Sequence, residues 1–123
     1  MMNKLIPLAL LTIALTGCSK HSELHDSMED MGGAYKAMRD SDDLAQIKKE
    51  WDTFKASLDV AGAQMVKPED QATFDEGIDE LTAAVASVDA AIASGNVMKT
   101  KELLKGFGDM RKEYHDKLGV KKD

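Results

Sequence analysis

Apolar residues recur every three or four positions in four segments of this chain. Such a stripe is typical of an amphipathic α-helix that buries one face. The seven unbroken positions of the second stripe are the strongest indication of a helical bundle. The stripes are Leu24, Met28, Met31, Tyr35 and Met38; Leu44, Ile47, Trp51, Phe54, Leu58, Ala61 and Met65; Phe74, Ile78, Leu81, Val85, Val88 and Ile92; and, with one arginine, Phe107, Arg111, Tyr114 and Leu118.

Capping residues and helix breakers separate the four stripes. Small polar residues precede three of the helices, a proline suits the first turn of the third, and a glycine follows the last. These boundaries are marked by Ser22, Ser41 to Asp43, Pro68, Asn96 and Gly119.

The connections between the helices are short, so consecutive helices must run antiparallel. The sequence therefore predicts an all-α protein, an up-down-up-down antiparallel four-helix bundle over residues 23–119 with a tail at 120–123. Each helix has about 20 residues and should be roughly 30 Å long.

Residues 1–17 have the anatomy of a signal peptide, with Lys4 followed by a short apolar run. Leu15-Thr-Gly-Cys18 is similar to a bacterial lipobox, in which the signal is cut before a cysteine that then carries lipid. We therefore expect lipidation at Cys18, a linker over 18–22 and a periplasmic location. Ser19, by analogy with the sorting rule of Gram-negative bacteria, favours the outer membrane. An ordinary secretory signal or a short membrane anchor is the alternative.

The remaining chain is acidic and has no second cysteine. Without residues 1–17 it has 15 Lys or Arg and 22 Asp or Glu residues, a net charge of −7. This charge argues against nucleic acid or anionic lipid as a partner, so the membrane contact should be the lipid anchor alone. With Cys18 as the single cysteine, no disulfide supports the fold.

The candidate chemistry lies in the first and last helices. Met28 belongs to the first stripe, and His115 lies beside the last one. The start of helix one and the end of helix four lie at the same end of an up-down-up-down bundle. A thioether sulfur and an imidazole nitrogen would therefore face each other across one end of the core.

Two segments resemble the first and last helices of the cytochrome b562 family, four-helix bundles that bind a non-covalent haem. These are Glu23-Leu-His-Asp-Ser-Met28-Glu-Asp-Met31 and Met110-Arg-Lys-Glu-Tyr-His115. The resemblance implies that Met28 and His115 are the axial ligands of the haem iron. Gly32, one turn from Met28, would make room for the flat macrocycle. The other implied cofactor-binding residues are Leu24, Phe54, Phe74, Ile78, Arg111 and Tyr114.

The resemblance also implies the type of haem. Arg111 and Tyr114 stand where c-type relatives have the two cysteines of Cys-x-x-Cys-His, so attachment should be non-covalent, as in haem b. Gly119 stands where the family has an arginine near a haem propionate, and Lys121 or Lys122 is the candidate to replace it. Iron with both axial positions filled favours electron transfer between periplasmic redox proteins over catalysis. We therefore expect no enzyme activity.

Two alternatives remain open. His21, His25, Met28 and Met31 are spaced along one helix, and Met and His in an exported protein can bind copper. Alternatively, the chain is an envelope lipoprotein bundle without haem that binds another protein.

Overall fold

The computed structural model describes residues 22–120, which form four α-helices. The predicted lipidation site Cys18, the candidate copper ligand His21 and the lysines at 121 and 122 lie outside the described residues. The helices are α1 (Glu23–Asp40), α2 (Leu44–Gly62), α3 (Pro68–Ala93) and α4 (Val97–Leu118). These bounds confirm the four predicted helices.

Capping interactions place the helix ends where the sequence predicts them. Ser22, Asp43 and Asn96 each accept a hydrogen bond from a backbone N–H of the following turn, at 2.9 to 3.0 Å. These bonds satisfy N–H groups that have no partner within the helix. After α4, Gly119 has a φ of 70°, a left-handed conformation that costs glycine no steric energy.

The apolar stripes meet in one core with an aromatic centre. Trp51 stacks on Phe54 with ring centroids 5.3 Å apart, and Phe107 of α4 meets both rings edge-on. Trp51 is 2% exposed, which confirms that it fills the core. The buried side chains around this centre include Met31, Met38, Ile47, Leu58, Val88 and Leu104.

Consecutive helices form two hairpins, α1 with α2 and α3 with α4, whose backbones approach each other most closely. Between the hairpins, α2 with α3 and α1 with α4, the backbones are in close contact at fewer places. At one end of the bundle, the Gln64 amide donates to Glu23 at 3.5 Å. At the other end, Lys101 Nζ donates to the Ser41 carbonyl at 2.9 Å and to Asp42 at 2.8 Å. The up-down-up-down topology is therefore as predicted.

The prediction that Met65 points inward was wrong. Met65 is 86% exposed because α2 ends at Gly62, before this position is reached. Glycine is a poor helix former, and Lys67 adopts an extended conformation because it precedes Pro68. Beyond Gly62 the helical period no longer determines where a side chain points.

Asp89 of α3 links the two hairpins by accepting hydrogen bonds from side chains of α2. Its Oδ1 accepts hydrogen bonds from Trp51 Nε1 at 2.7 Å and from Lys55 Nζ at 3.0 Å. The hydrogen bond from Trp51, with the Lys55 ammonium, holds the pKa of Asp89 below its usual value against the opposing effect of burial. This carboxylate is therefore stabilised in its charged form in the folded protein.

Along residues 22–120, none of the helices combines the length and the apolar character needed to cross a lipid bilayer.

Replacing Asp89 with asparagine should lower the free energy of unfolding at neutral pH by up to about 1 kcal/mol. The loss is modest because the ion pair is half-exposed and asparagine still offers an acceptor to Trp51. The difference from wild type should be present above the usual aspartate pKa of 3.8 and disappear as the pH falls through the lower pKa of folded Asp89. Urea unfolding followed by the fluorescence of Trp51, the only tryptophan, measures it.

The matched control is Asp52→Asn, which removes an exposed carboxylate from the same groove between α2 and α3. It should change stability by no more than about 0.5 kcal/mol. A stability difference for Asp89→Asn that does not depend on pH would contradict the stabilised carboxylate.

Candidate functional site

The first and last helices meet at a glycine that sets their register. A Cβ built on Gly108 of α4 would lie 2.5 Å from Tyr35 Oη of α1. Met28 lies seven residues before Tyr35, and His115 lies seven residues after Gly108. Seven residues are two turns, about 10.5 Å, on nearly the same helix face. Because α1 and α4 are antiparallel, both steps lead to the same end, and Met28 and His115 stand at the same level on the sides of α1 and α4 that face each other.

The two side chains suit a metal-bearing cofactor. Met28 is half-buried and packs against the core. His115 is also half-buried, and burial, followed by the Arg111 charge, lowers its pKa below the usual 6.5 despite nearby Asp116. At neutral pH the imidazole is therefore uncharged and keeps a lone pair for a metal. A thioether and a neutral imidazole are both ligands of haem iron.

No neighbouring group covers α1 at Gly32. Gly32 follows Met28 by one turn on nearly the same face of α1. A Cβ built on Gly32 would meet no atom within 4 Å outside its own helix segment. The structure therefore has room at the position where the sequence predicts the edge of a flat ligand.

Apolar side chains from three helices occupy the predicted wall positions. Leu24 of α1 and Ile78 of α3 are partly buried against the core. Phe54 of α2 and Phe74 of α3 are 5% and 4% exposed. Ile78 lies against α2, since a Cβ on Gly62 would be 3.1 Å from its Cγ2. The chain thus supplies apolar surface for a macrocycle.

Tyr114 packs on α3. Its ring covers Gly77, where a Cβ would lie 2.9 Å from the ring, and its hydroxyl donates to Glu80 Oε2 at 2.6 Å. The hydrogen bond to Glu80 raises the pKa of Tyr114 well above its usual value of 10.0, so the hydroxyl remains a donor at neutral pH. Arg111, one turn earlier, is exposed.

The candidate copper residues do not share one face. Met31 is 6% exposed within the core, whereas His25 is exposed and lies 3.4 Å from Glu29. Within the described residues 22–120, no three or more His, Cys, Asp or Glu side chains form a group that could hold a metal ion.

Residues 23–118 match the family described as cytochrome b562. This chain belongs to the cytochrome b562 family. The match covers all four helices, and the family consists of haem-binding four-helix bundles that carry electrons. Neither a curated protein nor a solved structure gave a significant match.

The residues present fit the haem that membership of the cytochrome b562 family implies. Met28 and His115 stand at one level with suitable donor atoms, no neighbouring group covers Gly32 one turn from Met28, and the nearby wall residues are apolar. Sequence reasoning missed the contact between Tyr35 and Gly108. A tyrosine and a glycine each lie two turns from a candidate ligand, but that spacing alone does not distinguish them from other stripe residues.

Charge is distributed unevenly along the bundle. We define the site end as residues 22–31, 56–80 and 109–120, the halves of the helices that lie toward Met28 and His115. It has 14 acidic and four basic residues, a net charge of −10, whereas the rest of the described chain has seven acidic and eight basic residues. At the site end, Lys117 with Glu113 is the only ion pair of a lysine or arginine among the described residues. The candidate site therefore lies in a strongly negative field.

Alanine at Gly32 or Gly33 should raise the free energy of unfolding of the haem-free protein by roughly 0.5 to 1 kcal/mol. Alanine is the better helix former, and neither Cβ would meet a neighbouring group. Gly32→Leu should place a larger side chain one turn from Met28 and weaken haem binding by more than about tenfold, measured by titration at the Soret band.

Gly33→Leu is the matched control, because Gly33 is the next residue and lies on an exposed face. It should bind haem as the wild type does. Equal affinities for the two leucine variants would show that Gly32 does not border the ligand.

Proposed function

We propose that this protein is a periplasmic electron carrier that binds one non-covalent haem b between Met28 and His115. The observation that carries the proposal is the register of α1 against α4. The contact between Tyr35 and Gly108 brings the two candidate ligands to the same level at one end of the core. Membership of the cytochrome b562 family supports the haem-binding and electron-carrying parts of the proposal.

The chain's own residues would bind, orient and shield the cofactor. Met28 and His115 would hold the haem iron between them and would leave it no free coordination site for oxygen or a substrate. Leu24, Phe74 and Ile78 would exclude water from the faces of the macrocycle. When bound, haem supplies an iron centre that gains and loses one electron, and its Met ligand raises the reduction potential relative to two histidines. This arrangement favours electron transfer over catalysis.

Non-covalent binding follows from the cysteine content. Covalent attachment of haem requires thiols beside the ligating histidine, and Cys18 is the only cysteine in the chain. We assign Cys18 to lipid, which would tether the protein to the periplasmic face of a membrane, with the outer membrane favoured by Ser19. The tether would join the bundle at the site end, because α1 begins there at Glu23.

The negative site end favours redox partners with a basic surface. Thirteen of its 14 carboxylates have no lysine or arginine within ion-pair distance in residues 22–120. Carboxylates without an internal cation attract a cationic partner, and such attraction mainly speeds encounter. A partner that accepts or donates electrons at this end would therefore present lysine or arginine side chains around its own redox centre.

Alanine substitution of either ligand should abolish six-coordinate haem binding. The reduced wild type with added haem should show the sharp α and β bands of a low-spin b-type haem. Met28→Ala and His115→Ala should each give a five-coordinate, high-spin spectrum and bind haem more than about tenfold more weakly, because one axial bond is lost. Visible spectra of the oxidised and dithionite-reduced proteins, with a haem titration, measure both effects.

The matched controls are Met110→Ala, on the partly buried face of α4, and His25→Ala, on the exposed face of α1. Both should keep the wild-type spectrum. If the wild type takes up no haem, the proposal is refuted. It is also refuted if all four variants bind haem as the wild type does. Copper titration of the wild type and of a variant lacking His21 and His25 would then test the remaining alternative.

The charge of the site end should govern the rate of electron transfer to small charged oxidants. Oxidation of the reduced holoprotein by tris(phenanthroline)cobalt(III), a cation, should slow as ionic strength rises, and oxidation by the anion ferricyanide should accelerate. Both trends follow from screening over a Debye length of about 10 Å at 0.1 M salt. Stopped-flow measurement of the α band at several salt concentrations gives both rates.

Two triple variants with the same change in net charge separate local from overall charge. Asp75→Asn, Glu76→Gln and Asp79→Asn neutralise the site end, and Asp43→Asn, Glu50→Gln and Asp52→Asn neutralise the opposite half. The first set should reduce the salt dependence more strongly. Equal effects of the two sets would show that only net charge matters, and would remove the argument for a basic partner at the site end.

A further inference from the structure

Tyr114 contacts α3 through both its ring and its hydroxyl group. A Cβ on Gly77 would lie 2.9 Å from Tyr114 Cγ and 3.0 Å from Cδ1, so the ring rests directly on the backbone of α3. The hydroxyl reaches Glu80, one turn further along α3, with a hydrogen bond of 2.6 Å. Tyr114 is 6% exposed. Its ring is thus held at both ends, by a glycine and by a carboxylate.

This contact determines how α4 is rotated about its own axis. Successive residues of an α-helix point about 100° apart. If Tyr114 points at α3, His115 must therefore point about 100° away from α3 around the axis of α4. In a four-helix bundle the two neighbours of α4 lie at roughly a right angle as seen from its axis. The angle of about 100° between the Tyr114 and His115 directions is therefore close to the angle, seen from the α4 axis, between the directions of α3 and α1.

The contact between α1 and α4 indicates which way that step leads. Gly108 lies two turns before His115 on nearly the same face, and it is the residue that meets Tyr35 of α1. The His115 face of α4 is therefore the face toward α1. Phe107, two turns before Tyr114, meets the rings of Trp51 and Phe54 of α2. The side of α4 that carries Phe107 and Tyr114 therefore faces the core, and the contacts of Tyr114 with Gly77 and Glu80 place its last turns against α3.

We propose that Tyr114 is a positioning residue: held by Gly77 and Glu80, it sets the rotation of the last turns of α4 and so aims the His115 imidazole at α1. The inference rests on the proposed haem ligation and adds to it the residues that orient one ligand. A rotation of α4 would move the imidazole nitrogen out of line with Met28. Tyr114 would then affect the geometry and strength of ligation without touching the iron.

Four variants test this role in the purified protein. Tyr114→Phe keeps the ring on Gly77 and removes the hydrogen bond, and Glu80→Leu removes its acceptor. Glu80→Gln keeps an acceptor oxygen and should behave as the wild type. Gly77→Ala places a methyl group where the ring now lies and should have the largest effect. The readouts are the haem dissociation constant, the reduction potential and the g-values of the oxidised haem by electron paramagnetic resonance, which report the orientation and strength of the axial ligands.

We expect Tyr114→Phe, Glu80→Leu and Gly77→Ala to shift the g-values and to weaken haem binding by about 10-fold to 100-fold, the range typical of residues that orient a metal ligand. Val88→Ala is the control for stability alone, because Val88 is fully buried in α3 away from this contact. It should lower the unfolding temperature without changing the g-values. If all the Tyr114, Glu80 and Gly77 variants keep wild-type g-values and affinity, Tyr114 only packs, and the inference fails.

A measurement without haem separates this inference from the proposed function. In the haem-free protein, nuclear Overhauser contacts between the His115 ring and side-chain protons of Met28 should be present in the wild type and in Glu80→Gln. They should be lost or weakened in Gly77→Ala. A wild type that shows these contacts but takes up no haem would refute the haem proposal alone. Contacts unchanged in Gly77→Ala would refute the positioning role alone.

Discussion

The site end of this bundle depends on how closely α4 approaches its two neighbours, and two glycines permit that approach. Gly77 of α3 receives the ring of Tyr114, and Gly108 of α4 receives the hydroxyl end of Tyr35. The backbones of α1 and α4 come close at few places, so a single close contact has a large influence on their register. Larger residues at these glycines would push the rings away and change both the spacing and the rotation of α4. The relation between Met28 and His115 therefore depends on residues that are not ligands.

Stability and function are concentrated in different parts of the bundle. The aromatic core around Trp51, the bond from Trp51 to Asp89 and the contacts of Lys101 hold the middle and the opposite end. The site end instead carries carboxylates that repel one another, which costs stability in the compact state. Such an end is tolerated because the rest of the molecule is well packed and paired. Because the stabilising contacts lie elsewhere, the residues of the site end can suit ligand binding and charge without the fold depending on them.

The helices could be predicted from the sequence because the stripes and the caps gave the same boundaries. The direction of the Met65 side chain could not be predicted, because the apolar stripe continues in the sequence beyond the end of α2. Met28 and His115 were predicted as ligands because the segments around them resemble the first and last helices of the cytochrome b562 family, and that assignment stays a prediction. The partners of Tyr114 could not be found, since Gly77 and Glu80 lie more than 30 residues away and an edge position can face either neighbour. Which one it faces is decided by helix rotation, a property of the assembled bundle.

The positions of Met28 and His115 along the chain also bear on the stability of the bundle. They belong to the first and last helices, so a group bonded to both would close a loop of 88 residues, counted with both ends included. A permanent cross-link of that span removes about 4 to 5 kcal/mol of chain entropy from the unfolded state. A cofactor held by both side chains would therefore act as a reversible staple across nearly the whole domain. The two hairpins, whose backbones are in close contact at few places, could then separate only after the bond to Met28 or His115 had broken.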